Sequence, residues 1–184
     1  MAYPYYDVAW TKCCRIQIGP DRVAGALTNF PVLLTGGNFP AEFFAASQAT
    51  GNDVLITSDV MVKLAHDLPH FDRTNGLMEL HFLAPSLSPA APNTFYVYTG
   101  NPLAADQRNA AGVWGAGYVG VWHLGETAAG TGTLLLYKDS TGHAWHGDDF
   151  VDPGGKVGKL YATGGETLDG SNDYVRLAQT FDGA

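Results

Sequence analysis

The amino-acid sequence predicts an all-β protein, with a jelly-roll-like β-sandwich over about residues 6–117 and a partial second sheet after Tyr118. Three observations carry this. The chain has 23 glycines, 10 prolines, 4 tryptophans, 9 tyrosines and 9 phenylalanines but only 15% charged residues, a composition of short strands and tight turns rather than of helical bundles. Apolar runs of strand length are interrupted by Gly, Pro, Asn or Asp at intervals of about 8 to 12 residues. With 184 residues and 46% hydrophobic content, the chain can bury a core.

Each element follows from its own residues. Trp10 to Ile18 reads as a first strand, turned by Gly19-Pro20-Asp21. Phe30-Pro31-Val32-Leu33-Leu34 is a short apolar run ended by Gly36-Gly37, and Pro40 to Ala49 can hold one brief helix before the turn Gly51-Asn52-Asp53. Val54 to Thr57, Lys63 to Phe71, Gly76 to Leu83 and Thr94 to Tyr98 have strand length and composition, with Arg73-Thr74-Asn75-Gly76 as a turn between two of them. Pro69 removes a ladder donor, which predicts an edge position for its strand. Beyond Tyr118 come a short apolar strand over Gly120 to Glu126, a loop rich in Gly, Ser and Asp, a second loop around Gly158-Lys159-Leu160, and an Asp-Gly turn entering an alternating strand that reaches Val175.

Charge excludes some partners. The formal net charge is −8 at pH 7, and acidic residues outnumber basic ones both before and after Ala111, so no basic face exists to neutralise phosphates or an anionic bilayer. No apolar run approaches the ~20 residues that span a membrane. The polar, tyrosine-rich start Met1-Ala2-Tyr3-Pro4-Tyr5-Tyr6-Asp7 lacks the basic and apolar regions of a signal peptide, which predicts a chain not exported by the usual route.

Cys13 and Cys14 are the only cysteines. As neighbours in a strand they point to opposite faces, and a bond between them would be strained. Free thiols are expected, one in the core and one near the surface.

Several groups are candidates for chemistry. His66 and His70 are four positions apart, but Pro69 forbids a helix there, and in a strand they lie roughly 13 Å apart, too far to share a zinc ion. His143 and His146, with Asp139, Asp148 and Asp149 nearby, form a cluster that a loop can converge on a cation or leave as solvated polarity. Asp169 and Asp173 flank a Gly-Ser-Asn turn, where Asp and Asn bond their own backbone, and Asp139 invites the same reading. Trp114 and Trp122 stand in apolar contexts that suit a core or interface. Trp145, between two histidines, suits an exposed position that stacks a sugar ring. Asp139, His143, Trp145 and His146 are therefore the candidate ligand-binding residues, with no catalytic residue, metal or cofactor expected. Gly-x-Ser-x-Gly, His-Glu-x-x-His and phosphate-loop patterns do not occur.

Two resemblances extend this reading. Gly120-Val121-Trp122-His123-Leu124-Gly125-Glu126, then Asp139-Ser140-Thr141-Gly142, then Leu168-Asp169-Gly170-Ser171-Asn172-Asp173-Tyr174-Val175 resemble the opening of a laminin-G-like, concanavalin A-type domain. Over residues 1–117, the succession Trp10…Arg15-Ile16-Gln17-Ile18, Leu27 to Leu34, Gly51-Asn52-Asp53-Val54, Tyr96 to Pro102 and Gly112-Val113-Trp114 resembles the DUF2341 family, whose members often precede a laminin-G-like domain. Asp67-Leu68-Pro69-His70 departs from that family's acidic, apolar, acidic strand. The DUF2341 resemblance implies a fold and a setting in secreted, surface or phage proteins, and names no catalytic residue.

From Tyr118 onward 67 residues remain, fewer than the ~100 of a compact sandwich. This predicts open strand edges and apolar surface around Trp122, Leu134-Leu135-Leu136 and Tyr174, covered by other molecules or by later strands of a longer chain. Three functions fit. The first is a non-enzymatic structural and adhesive virion protein, such as a phage tail or head fibre or decoration protein. It would contact other subunits and host-surface glycans, and neither nucleic acid nor membrane. The second is a carbohydrate-binding module of a bacterial or archaeal cell-surface protein, in an extracellular setting. The third is a fragment of a glycan hydrolase using Glu126, Glu166, Asp148 or Asp149, a reading that rests on analogy of fold alone.

Overall fold

The computed structural model describes residues 6–115, 117–126, 128–155 and 166–177. The protein is all-β, as expected, with several antiparallel sheets and few helices. It divides between Val113 and Trp114 into two compact units.

The first unit carries β1 (Lys12–Ile18), β2 (Leu27–Thr35), β3 (Leu55–Ser58), β4 (His66–Asp72), β5 (Leu77–Leu87) and β6 (Asn93–Thr99), with helices α1 (Ala41–Ala46) and α2 (Ala110–Val113). The strands pair antiparallel in two three-stranded sheets, ordered β1-β6-β3 and β2-β5-β4. Every connection crosses from one sheet to the other except the β4–β5 hairpin. That hairpin closes where the sequence placed a turn: Asp72 Oδ1 accepts the amides of Thr74 and Asn75, and Gly76 takes φ 67°.

Period-two alternation builds the core. On β5, Met78, Leu80, Phe82 and Ala84 are buried, whereas Leu77, Glu79, His81 and Leu83 on the other face are half-buried. Phe82 meets Phe95 of β6 with ring centroids 4.8 Å apart. Both rings belong to a cluster that draws Ile16, Ile56 and Val97 from one sheet and Leu34 and Leu80 from the other. The two sheets thus share one core in a sandwich-like arrangement, each large apolar side chain stabilising it by about 2 kcal/mol. Helix α1, entered at Pro40, adds Phe43 and Phe44.

Boundaries shift where pairing overrides composition. β2 begins at Leu27, ahead of the apolar run at Phe30, and β5 continues beyond Leu83 to Leu87. Both extensions are pairing effects, since Leu27 is opposite Leu87 and Thr28 opposite Ser86. β4 starts only at His66, because Lys63 makes a single bridge to Thr57 instead. Pro69 is exposed on an edge strand, and the register slips between Asp67 and His70, as its missing N–H demands.

Gly36 opens the turn after β2, and a methyl group there would run into the backbone carbonyl of Gly76. Because the obstacle is main chain, Gly36→Ala should destabilise the first unit by about 3 kcal/mol. A urea titration that leaves the midpoint unchanged would contradict this packing.

Among its described residues the second unit has one antiparallel pair, β7 (Gly147–Phe150) and β8 (Tyr174–Leu177). Two expectations are corrected. Gly120 to Glu126 is not a strand: Trp122 makes one bridge, to Asp139, and Leu124 at φ 54° turns the chain out of the extended region. Gly147 to Phe150, expected within a polar loop, is a strand because β8 supplies its partner. The expected loop at Gly158-Lys159-Leu160 lies outside the described residues.

Candidate functional site

The four candidate residues of the second unit fall in one loop, held by the Asp139 carboxylate. Asp139 is 6% exposed. Its Oδ1 accepts the amides of Val121 (3.0 Å) and Thr141 (2.9 Å), and its Oδ2 accepts the Thr141 hydroxyl (2.7 Å) and the Trp145 amide (3.0 Å). Each oxygen has two donors, which uses the usual capacity of a carboxylate. Burial raises the Asp139 carboxyl, but these donors outweigh it and hold the group below its ordinary range. Asp139 therefore ties the loop together, the turn chemistry its residue type suggested.

His146 is also part of this frame, its Nδ1 accepting the Asp139 amide at 3.1 Å. His143 is exposed and stacks on half-buried Trp145, with centroids 4.7 Å apart and planes 26° from parallel. Ala144, at φ 54°, makes the turn that lets these neighbours overlap. Trp122 donates from Nε1 to the Trp145 carbonyl at 2.8 Å. The loop thus divides into a frame, Asp139 and His146, and an aromatic surface, His143 and Trp145.

Among the described residues, Asp148, Asp149, Glu126, Asp169 and Asp173 make their bonds away from that surface. Asp148 and Asp149 are neighbours on β7 and so point to opposite faces. Asp148 accepts the Leu135 amide at 2.8 Å and pairs with Arg176 at 2.7 Å. Asp149, fully buried, accepts the Tyr137 hydroxyl and the Val151 amide, each at 3.0 Å. Glu126 Oε1 accepts the Lys138 amide at 2.8 Å. Asp169 accepts the amides of Ser171 and Asn172, and Asp173 those of Asp152 and Asp169, which is the expected turn bonding.

A second surface was only partly legible. Phe150 and Tyr174 are directly paired and stack at 4.7 Å with planes 11° apart, and the Arg176 guanidinium lies 4.8 Å from the Phe150 centroid. Close to it, Leu135 is tied to Asp148, and Leu134 and Tyr174 are 66% and 47% exposed. Leu134, Leu135 and Tyr174 are exposed as anticipated, whereas Leu136 and Trp122 are half-buried. Phe150 and Arg176 were missed. Their signal is the spacing of two in Asp148/Phe150 and Tyr174/Arg176, which puts all four side chains on one face once the strands pair.

In the first unit, the polar centre is Asp53, fully buried at the turn after Gly51. Its Oδ1 accepts the Gln48 amide at 2.8 Å, and its Oδ2 accepts the Thr99 hydroxyl (3.0 Å) and the amides of Gly100 (2.7 Å) and Asn101 (3.1 Å). Its carbonyl accepts Trp10 Nε1 at 2.7 Å. Gly100 has φ 89°, and a side chain there would collide with Thr11. The stretches around Trp10 and Thr99 thus meet at Asp53, the first at its main-chain carbonyl and the second at its buried carboxylate.

The cysteines are free, as expected, and both are half-buried. Cys14 packs against the core, while Cys13 is opposite Tyr98. Burial, then the neighbouring Cys13 and Glu42, pushes the Cys14 thiol up to about 11, and burial also raises Cys13, which keeps both protonated at neutral pH. On the outward face of β5, His81 Nε2 meets Glu79 Oε1 at 2.8 Å.

Comparison with protein-family models, curated proteins and solved structures finds no match to this chain. The fold and these sites define an all-β protein whose described carboxylates chiefly bind its own backbone.

Proposed function

We propose that the protein is a non-enzymatic structural and adhesive subunit of a larger assembly, a virion fibre or decoration protein in the first instance. In this reading the first unit docks on the particle, and the second presents its surface to neighbouring subunits and to host-surface glycans. The observation that carries it is the exposed apolar and aromatic surface of the second unit, where Leu134, Leu135 and Tyr174 adjoin the Phe150–Arg176 stack. Aromatic residues and Arg are enriched at interfaces between proteins, and an exposed apolar patch favours a partner. The engagement of Asp148, Asp149 and Asp139 in internal bonds also supports a role without catalysis.

Light scattering on the 184-residue chain tests this. Self-association and strong binding of an apolar dye are expected, both reduced by Leu134→Asp with Tyr174→Ser. A monomer that binds no dye and no particle protein would overturn the reading.

A second reading, a carbohydrate-binding module of a cell-surface protein, is favoured by the stack of exposed His143 on Trp145 alone, although Trp145 is half-buried rather than exposed as expected. Quenching of tryptophan fluorescence by surface polysaccharide, lost in Trp145→Ala with the melting temperature kept, would select it.

A further inference from the structure

We propose that His66 is an acid-sensitive latch, whose protonation releases the segment 104–113 from the edge of the first unit's sheet. The imidazole is fully buried at the start of β4, directly opposite Phe82, whose side chain faces the core. Neither ring nitrogen has a hydrogen-bond partner among the described residues. A buried polar ring without partners is costly, and the cost rises steeply once the ring carries a charge.

The segment 104–113 is fastened to the edge of β4 at His66 by bonds that do not involve the ring. Asn109 donates its amide to the His66 carbonyl at 2.8 Å, and the Gln107 amide reaches the Asn52 carbonyl at 3.0 Å. Lys63 Nζ donates to Gln107 Oε1 at 2.7 Å, and Arg108 bridges Asp106 and Asn52. Helix α2 ends the segment and packs on β4. Opening it exposes the buried Val113 but otherwise breaks mainly polar bonds at the strand edge, and it frees the edge of β4 that carries His66, a route by which the ring can take a proton.

The charges facing the ring are few. Burial, and then the Lys63 ammonium, disfavour the imidazolium, while the Leu64 carbonyl, then Asp106 and Asp67, favour it less strongly. Neither α2 nor β3 carries a charged side chain, and Glu79 and His81 of β5 lie on the face away from Phe82. Burial raises Asp106, but its bonds to Arg108 outweigh this and keep it below the ordinary carboxylate range, so it stays ionised in weak acid. The closed protein holds His66 down to about 4, whereas an opened imidazole titrates near 6.5. Between those values the open state binds a proton that the closed state refuses, so the closed state is fully favoured above about pH 6.5 and loses ground as the pH falls.

Hydrogen exchange on the full chain at pH 7 and 4.5, corrected for intrinsic rates, tests the latch. The opening equilibrium reported by the amides of Gln107, Asn109 and Gly112 should rise about 50-fold, while those of Leu80 and Val97 in the core keep their protection. His66→Leu should abolish the rise, and His66→Gln gives the same test where the leucine variant does not fold. Unchanged exchange, a uniform rise that includes the core, or a persistent rise in either variant would overturn the proposal. So would a His66 proton resonance that titrates at an ordinary midpoint while the segment stays protected.

Discussion

Asp53→Ala is expected to unfold the first unit under conditions where the wild type is folded. The substitution leaves the Gln48, Gly100 and Asn101 amides and the Thr99 hydroxyl without their acceptor in a fully buried site. Each stranded buried donor costs about 1–3 kcal/mol, and with partial relaxation a total of about 4 kcal/mol is expected. That is a large part of the 5–15 kcal/mol by which a domain is typically stable, and corresponds to a fall of roughly 20 °C in melting temperature. Asp53→Asn keeps the shape but turns an N–H group toward at least one donor, so it should recover only part of the loss. Calorimetry that places Asp53→Ala within about 1 kcal/mol of wild type would mean that the buried carboxylate does not join these segments.

The corresponding change in the second unit is Asp139→Ala, with an expected loss of about 3 kcal/mol from the same cause. Its effect should stay in that unit. The Trp122 and Trp145 fluorescence should report an earlier transition in urea, because the Trp122 side chain and the Trp145 main chain are both held at this loop, while the transition of the first unit keeps its midpoint. The sign of the pH dependence follows from the depressed carboxyl. The contribution of Asp139 is complete above its unfolded value of about 3.9 and is lost as the pH falls through the lower folded value, so the gap between the variant and the wild type should begin to narrow below about pH 4. A chelator separates backbone binding from metal binding. If Asp139 acted by holding a cation, removing the ion would lower the wild-type midpoint and leave the variant unchanged. With the four bonds found, the chelator should change neither.

Much of the first unit was legible because its determinants are local. Pro69 announces an edge strand through its own missing N–H, and Asp72 and Asn75 form their turn with donors two or three residues away. The alternation along β5 declares which face is buried before any partner is known. In the second unit, Asp169 and Asp173 were readable for the same reason. His143 and Trp145 were singled out separately, the one as a member of a polar cluster with His146 and the other as a ring between two histidines, and nothing local says that they stack.

What tertiary structure decided is every property that depends on a partner distant in sequence. Asp53 looks like a turn residue until Thr99, Gly100 and Asn101, 46 to 48 positions away, bring their donors to it. Asp139 remains a possible ligand in the sequence, and becomes a scaffold only when Val121, 18 positions away, takes a lone pair. Phe150 and Arg176 join one surface because β7 pairs with β8 across a long connection. His66 is the clearest case. Its sequence context said only that it cannot share a zinc ion with His70, yet the pairing with Phe82 turns its ring inward and the segment 104–113 covers the edge. Backbone preference and turn chemistry are set by nearest neighbours, whereas burial and the filling of lone pairs are set by whichever segments the closed core brings together.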